Sequence, residues 1–425
     1  MRLQLEQTIW IPRVVPMITV LVNAKMFDGV SDEFADGVSV VVENDRIREI
    51  ADREPTFQDA RRIDCAGRVL MPGLIDAHFH AYTPSFDIIA TDKMPQALLV
   101  SHAARILEGA LSRGFTTVRD AGGGNIGLAM AIDAGLIKGP RFFFSGKAIS
   151  QTGGHGDARP GTEVEPCSCG RYSGSLAQVA DGPDEMRKAV REQLRMGATQ
   201  IKLFVSGGVI SPTDPIWMPQ FAEDEIRTAV YEASTRRTYV MAHCHTDEGA
   251  RRCVEYGIRS IEHGTEVHEE TARLIAAREA FVVPTLSVAD VIRKNGAELG
   301  IPPHGLQKIK GVYERMLTSI ETCTRAGVRL GLGADLLGHR FHELQGGEIE
   351  LRSEVNRPID VLRSATSVNA ELLQRSGELG CIKAGAYADI LVLNGDPLRN
   401  PGLFRNPQAG LPLVMKGGEI VRNSL

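Results

Sequence analysis

Apolar and polar positions divide the chain into stretches of different texture. Near the start, "ITVLVNAKMF", "VSVVVENDRIREI" and "RRIDCAGRVLMPG" read as short strands, with Asn44-Asp45 and Ala66-Gly67 supplying turns. "ADILVLNGDP" and "LPLVMKGGEIVRN" near the end have the same texture. Between them, from about residue 72 to 375, apolar β runs alternate with amphipathic helical patterns. The runs are "GLIDAHFH", "FTTVRDA", "RFFFSG", "TQIKLF", "YVMAHCH", "IRSIEHG", "FVVPTL" and "VRLGLGAD". In "PDEMRKAVREQLRMG", Met186, Ala189, Val190 and Leu194 share one face, acidic residues open the helix and Gly197 ends it. In "EDEIRTAVYEAS", Ile226, Ala229, Val230 and Ala233 do the same.

Eight β runs alternating with helices predict an α/β fold, a (β/α)8 TIM barrel over residues 73–375. The two β-rich ends, 1–72 and 376–425, are expected to pair into one small β-sandwich domain. A doubly wound open sheet is the alternative, but no GxGxxG turn opens the first βα unit.

Active sites on barrels of this kind lie at the C-terminal ends of the strands, and the unusual polar residues fall there. His78 and His80 end strand one, Lys202 lies in strand four, His243 and His245 end strand five, His263 ends strand six and Asp335 ends strand eight. In an extended chain positions i and i+2 share a face, so His78 and His80 can converge on one point, and His245 points into the mouth with His243. An HxH pair alone is equally two polar residues leaving a strand. Imidazoles from three strands with one carboxylate instead suit zinc and similar divalent ions. Lys202 fits as a partner of a barrel carboxylate or, if burial lowers its pKa, as a neutral amine that reacts with carbon dioxide. The resulting carbamate could bridge two metals about 3.5 to 4 Å apart.

Composition narrows the picture further. At 43% hydrophobic and 24% charged residues the chain is globular, and a net charge of -5 supplies no basic field for nucleic acid. Seven cysteines without regular spacing fit a reducing compartment, and Cys167 and Cys169 lack a second ligand pair for zinc. The N-terminus lacks an apolar core followed by a small-residue cleavage site, and no stretch has about 18 uninterrupted apolar residues. A cytoplasmic protein with no membrane span is therefore expected.

"PGLIDAHFH", "GATQIKLFVSGG", "AHCHT", "IEHG", "GLGAD" and "AGAYADILVLNGDP" together resemble the amidohydrolase superfamily, in the branch related to imidazolonepropionase and Xaa-Pro dipeptidases. The resemblance covers nearly the whole chain, with its motifs in order. It implies two divalent ions, zinc by default. His78, His80 and Asp335 would bind one ion, His243 and His263 the other, and Lys202, carboxylated by carbon dioxide or bicarbonate, would bridge them. It also implies hydrolysis of a small-molecule amide by a bridging hydroxide, with Asp335 moving the proton, and a homo-oligomer.

Two further histidines are candidates for substrate contact: His245, by its shared face with His243, and His155 in the glycine-rich "QTGGHGD", which also resembles the family. The long segment Lys147 to Asp181 is expected to be a structureless loop over the substrate. His339 and His342 are near enough to Asp335 to line the mouth; His102, His268 and His304 have no assigned part. Nothing in the spacing selects Arg119, Lys147 or Tyr231 as a grip for a substrate carboxylate. The expected reaction is cleavage of a dipeptide, N-acyl amino acid or carbamate. Ring opening of a cyclic amide such as an imidazolone, or of a lactone, is the alternative. A mononuclear deaminase is disfavoured by Lys202, and a non-catalytic barrel by the presence of all six ligands.

Overall fold

The computed structural model describes residues 17–157, 159, 176–211, 214–301 and 303–425. Cys167 and Cys169, and most of the long segment after strand three, lie outside them, as does the side chain of His304.

Strands from both ends of the chain build one eight-stranded sheet. Ile18–Met26 is its hub, pairing with Ala35–Glu43 on one side and with Arg61–Asp64 and Val69–Pro72 on the other. Val69–Pro72 in turn pairs antiparallel with Ile390–Leu393. The chain reverses between Ala35–Glu43 and Arg46–Ala51 at Asn44, whose φ of 55° asparagine tolerates better than most residues.

The eight internal runs form parallel strands: β1 Leu74–Phe79, β2 Phe115–Asp120, β3 Arg141–Phe144, β4 Ile201–Phe204, β5 Val240–Cys244, β6 Ser260–His263, β7 Phe281–Val283 and β8 Arg329–Leu330. Ladders run directly through β1–β2–β3 and through β4–β5–β6–β7–β8. Two junctions complete the ring. Thr199 N donates to Phe144 O at 2.8 Å, and Ala77 N donates to Leu332 O at 2.9 Å. Leu203, Ala242 and Ile261 are fully buried, as strands covered on both faces require.

Helices pack outside the ring. Gly182–Arg195 follows Asp181, carries Asp184 and Glu185 in its first turn and Arg195 in its last, and buries Met186, Ala189, Val190 and Leu194. Burying each of the larger side chains there contributes about 1.5–3 kcal/mol. Glu223–Thr235 buries Ile226, Ala229 and Ala233, and its Glu232 accepts two bonds of 2.9 Å from Arg191 of the preceding helix. No helix of the described residues is long and apolar enough to cross a membrane.

Three expectations need correction. The segment after β3 is not structureless at its ends, because Ala148–Ser150 and Ala177–Val179 form a parallel pair, and Ile149 registers with Leu203 of β4. The eighth strand is shorter than its apolar run, since its ladder stops at Leu330 and Gly331–Ala334 continue as extended chain beside β1. A methyl group at Gly333 would lie 2.6 Å from Cβ of His78, so this approach needs glycine. Asp335 therefore lies beyond the strand, at φ 51°, with its N–H donating to His78 O at 2.8 Å.

Candidate metal centre

His78, His80, His155, Lys202, His243, His245, His263 and Asp335 all line one cavity of about 740 Å³ at the C-terminal ends of the strands. The sequence-predicted residues are thus brought together. His339 and His342 are not among its lining; His342 packs on Phe79 and His339 on His102. Arg119 is fully buried in β2, and Tyr231 is 66% exposed on an outer helix, so neither reaches the cavity.

Two donor groups face each other. Nε2 of His80 and of His78 lie 3.1 and 3.4 Å from Oδ1 of Asp335. Nδ1 of His243 lies 2.9 Å from Nε2 of His263, and His245 stacks on His263 with ring centroids 5.0 Å apart. Within each group, His78, His80 and Asp335 or His243, His245 and His263, one ligating atom per residue lies within 4.8 Å of the others. The grouping places His245 beside the expected ligands His243 and His263.

Partners behind the ring select which nitrogen faces inward. Glu262 takes Nδ1 of His78 at 2.7 Å, Thr285 takes Nδ1 of His263 at 2.8 Å, and Thr265 takes Nδ1 of His245 at 2.6 Å. Glu262 is itself held by Arg119 at 2.9 Å. Such partners fix ring orientation and tautomer. Glu262 was not singled out from the sequence, although an acidic residue inside the buried run "SIEHG" was a visible signal.

Electrostatics favour neutral imidazoles at His78, His243, His245 and His263, but not at His80. Burial, followed by the charge of Lys202, brings His78 down to about 4. Burial, then the charge of His155, brings His245 to about 3, and burial with neighbouring imidazoles carries His243 and His263 well below the ordinary value. Burial also opposes charge on His80, but the hydrogen bond and charge of Asp335 outweigh it and raise that pKa. Asp335, despite burial, is held below the usual carboxylate range by His78 and His80. Burial lowers Lys202 to about 8, against the pull of Glu262 and Asp335.

This donor set suits divalent cations. It offers imidazoles that burial holds neutral at four of the five histidines and one carboxylate, the state in which side chains ligate. Nδ1 of His80 is buried without a hydrogen-bond partner, and the Lys202 ammonium makes no hydrogen bond or ion pair among the described residues. A buried amine left in that state among imidazoles is a candidate for chemical modification.

His155 sits to one side of the two groups. Its ring stacks on that of His243 at 4.3 Å, and Nδ1 faces Ser211 Oγ at 2.7 Å and Asp214 Oδ2 at 3.2 Å. The opposite wall is apolar, including Val288, Ile292, Ile301, Val312 and Met316.

A profile of the amidohydrolase family matches residues 69–421. The chain is 33% identical to the ochratoxinase of Aspergillus niger over 384 residues, 83% of this chain and 76% of that protein. Among solved structures, a prolidase complexed with N-methylphosphonate-L-proline is 44% identical with a TM-score of 0.93, covering 96% of this chain and all of that one. A Xaa-Pro dipeptidase with methionine bound in its active site is 28% identical, with a TM-score of 0.86 over 96% of this chain and all of that one.

Proposed function

The chain belongs to the amidohydrolase family and is a hydrolase acting on C–N bonds, and from that premise we propose that it cleaves the amide of a dipeptide, an N-acyl amino acid or a related carbamate at a centre for two divalent cations. The observation that carries this reading is the convergence of two donor groups and the Lys202 amine in one cavity. His78, His80 and Asp335 would hold one cation, His243 and His263 the other, and Lys202, carboxylated by carbon dioxide or bicarbonate, would bridge them. Zinc is the first ion to test. When bound, two such cations supply an acidified water and polarise a carbonyl.

The remaining steps belong to side chains. Asp335 accepts the proton of the attacking water and delivers it to the leaving nitrogen. His245, with Nδ1 accepting from the Thr265 hydroxyl, presents Nε2–H to the carbonyl oxygen as negative charge develops there. His155, with Nδ1 turned to Asp214, keeps an acceptor nitrogen for an N–H of the substrate. The apolar wall opposite excludes water and receives the rest of the molecule. The sheet built from both termini is read as a β-sandwich domain, 1–72 with 376–425, supporting a barrel of 73–375. Relatives bearing the names prolidase, Xaa-Pro dipeptidase and ochratoxinase support an amide substrate and make Xaa-Pro dipeptides the first to try.

The test is amine release from a panel of dipeptides, N-acyl amino acids and carbamates by zinc-loaded protein. The Asp335→Asn variant, expected to keep metal and lose turnover by several orders of magnitude, serves as the blank. No amine from any compound, with two ions bound per chain, would end the amide reading. Near-normal turnover by a metal-loaded Asp335→Asn protein would remove Asp335 from proton transfer.

A further inference from the structure

Three loops of the barrel meet at a buried carboxylate outside the metal-binding groups. Asp214 lies in the loop after β4 and is 0% exposed. Its Oδ2 accepts from Gly208 N at 3.0 Å and Gln220 Nε2 at 3.3 Å, and faces Nδ1 of His155 from the loop after β3. Gln220 Oε1 also accepts the backbone N–H of His155 at 3.1 Å. The third loop contributes Lys308, at the end of the short helix Pro303–Lys308 between β7 and β8. Its Nζ donates to the carbonyls of Gly208 at 2.8 Å, Ser211 at 3.0 Å and Asp214 at 2.7 Å.

An ammonium has three donors and no acceptor, and here all three are directed at one loop. Gathering three carbonyls around a point suits lysine; the planar fork of arginine would not reproduce it. Three carbonyl dipoles pointing at one spot repel one another, and the ammonium between them offsets that repulsion. The same loop presents Gly208 flat against the His155 ring, where a methyl group would lie 2.0 Å from Cε1. Lys308 touches neither donor group and does not itself line the cavity, though Ser211, whose carbonyl it holds, does.

We propose that Lys308 and Asp214 are positioning residues for His155: the ammonium folds the β4 loop so that the Asp214 carboxylate, together with the nearer Ser211 Oγ, holds the imidazole as its Nδ1–H tautomer, with Nε2 unprotonated toward the cavity. The placement of His155 against substrate rests on the function proposed above. The tautomer does not, and it can be measured without substrate.

The experiment has two arms. Long-range 1H–15N spectra of the full-length protein, with the His155 signals assigned by a His155→Ala comparison, are expected to show Nδ1–H in the wild type. Asp214→Asn and Lys308→Met should move that population toward Nε2–H. Should Lys308→Met fail to fold, Lys308→Gln, which keeps two donors, replaces it. In the second arm, Asp214→Asn lowers kcat by on the order of 10-fold to 100-fold at unchanged metal content. In a His155→Ala background the same change costs no more than about twofold, the non-additivity expected of residues acting through one another. A wild-type Nε2–H tautomer, an unchanged tautomer in both variants, or an equal loss in the two backgrounds overturns the proposal. Absence of any amidase activity in wild type would count against the function instead and leave the first arm to decide.

Discussion

Replacing Glu262 with glutamine removes one charge and almost no volume, and its consequences can be worked from the geometry. Glu262 Oε2 faces Nδ1 of His78 at 2.7 Å and Oε1 accepts from Arg119 at 2.9 Å, with all three side chains buried. Burial alone would raise this carboxyl, but Arg119 and then His78 bring it from 4.5 down to about 2. That gap corresponds to about 3 kcal/mol, consistent with the roughly 3–5 kcal/mol lost when one partner of a buried pair is removed. The folded pKa is depressed, so this stability is present above about pH 4.5 and is lost as pH falls toward 2. The amide adds a second effect. If its oxygen stays on Arg119, its NH2 group points at Nδ1 of His78 and forces the imidazole proton onto Nε2, the nitrogen facing Asp335. Glu262→Gln should therefore lose about 3 kcal/mol in urea unfolding of the metal-free protein near pH 7, with the deficit shrinking below pH 4.5. It should also bind zinc about 10-fold to 100-fold more weakly. Unchanged unfolding midpoint and unchanged zinc affinity at neutral pH would refute both parts of the reasoning.

Other perturbations probe the remaining parts of the centre. With Lys202 at about 8, its reactive neutral amine grows about tenfold between roughly pH 7 and pH 9. At a fixed concentration of dissolved carbon dioxide, reactivation of chelator-treated protein by zinc should accelerate accordingly, and labelled bicarbonate should give a carbamate carbon resonance that Lys202→Arg lacks. A flat pH dependence with no such resonance would leave Lys202 unmodified. Gly208→Ala places its methyl group 2.0 Å from His155 Cε1, so the ring must move. Turnover should fall at least about tenfold with metal content preserved, and wild-type kinetics would show that the position of the His155 ring is immaterial.

The proposed ligands other than Asp335 were legible because each occupies or directly follows a strand with a clear apolar run, and parallel strands bring their C-terminal ends to one mouth. Two features of the site broke the local rules. Alternation along a strand would send Glu262 and His263 to opposite faces, but His263 adopts φ 70°, which a strand pattern does not reveal. Asp335 was expected at a strand end and instead follows a glycine-spaced extension, because a ladder cannot be told from an extended chain by hydropathy. Asp214 and Lys308 were missed for a different reason. Asp214 sits in the loop after β4 and Lys308 at the end of a short helix 94 positions later, and only the closed ring makes them neighbours.

The pairing of Val69–Pro72 with Ile390–Leu393 sets an order of events during synthesis. On the ribosome, the first strands of the terminal sheet emerge with one edge unpartnered, and the strand that covers it arrives about 320 residues later. At about 5–20 residues per second that interval is roughly 16–64 s, long compared with the microseconds in which a hairpin forms. The nascent chain thus carries an open β edge, a template for pairing with other chains, through the whole translation of the barrel. Truncation after Ala388 would make that transient state permanent, and the product should aggregate even though every metal-binding side chain of the proposed centre remains in it.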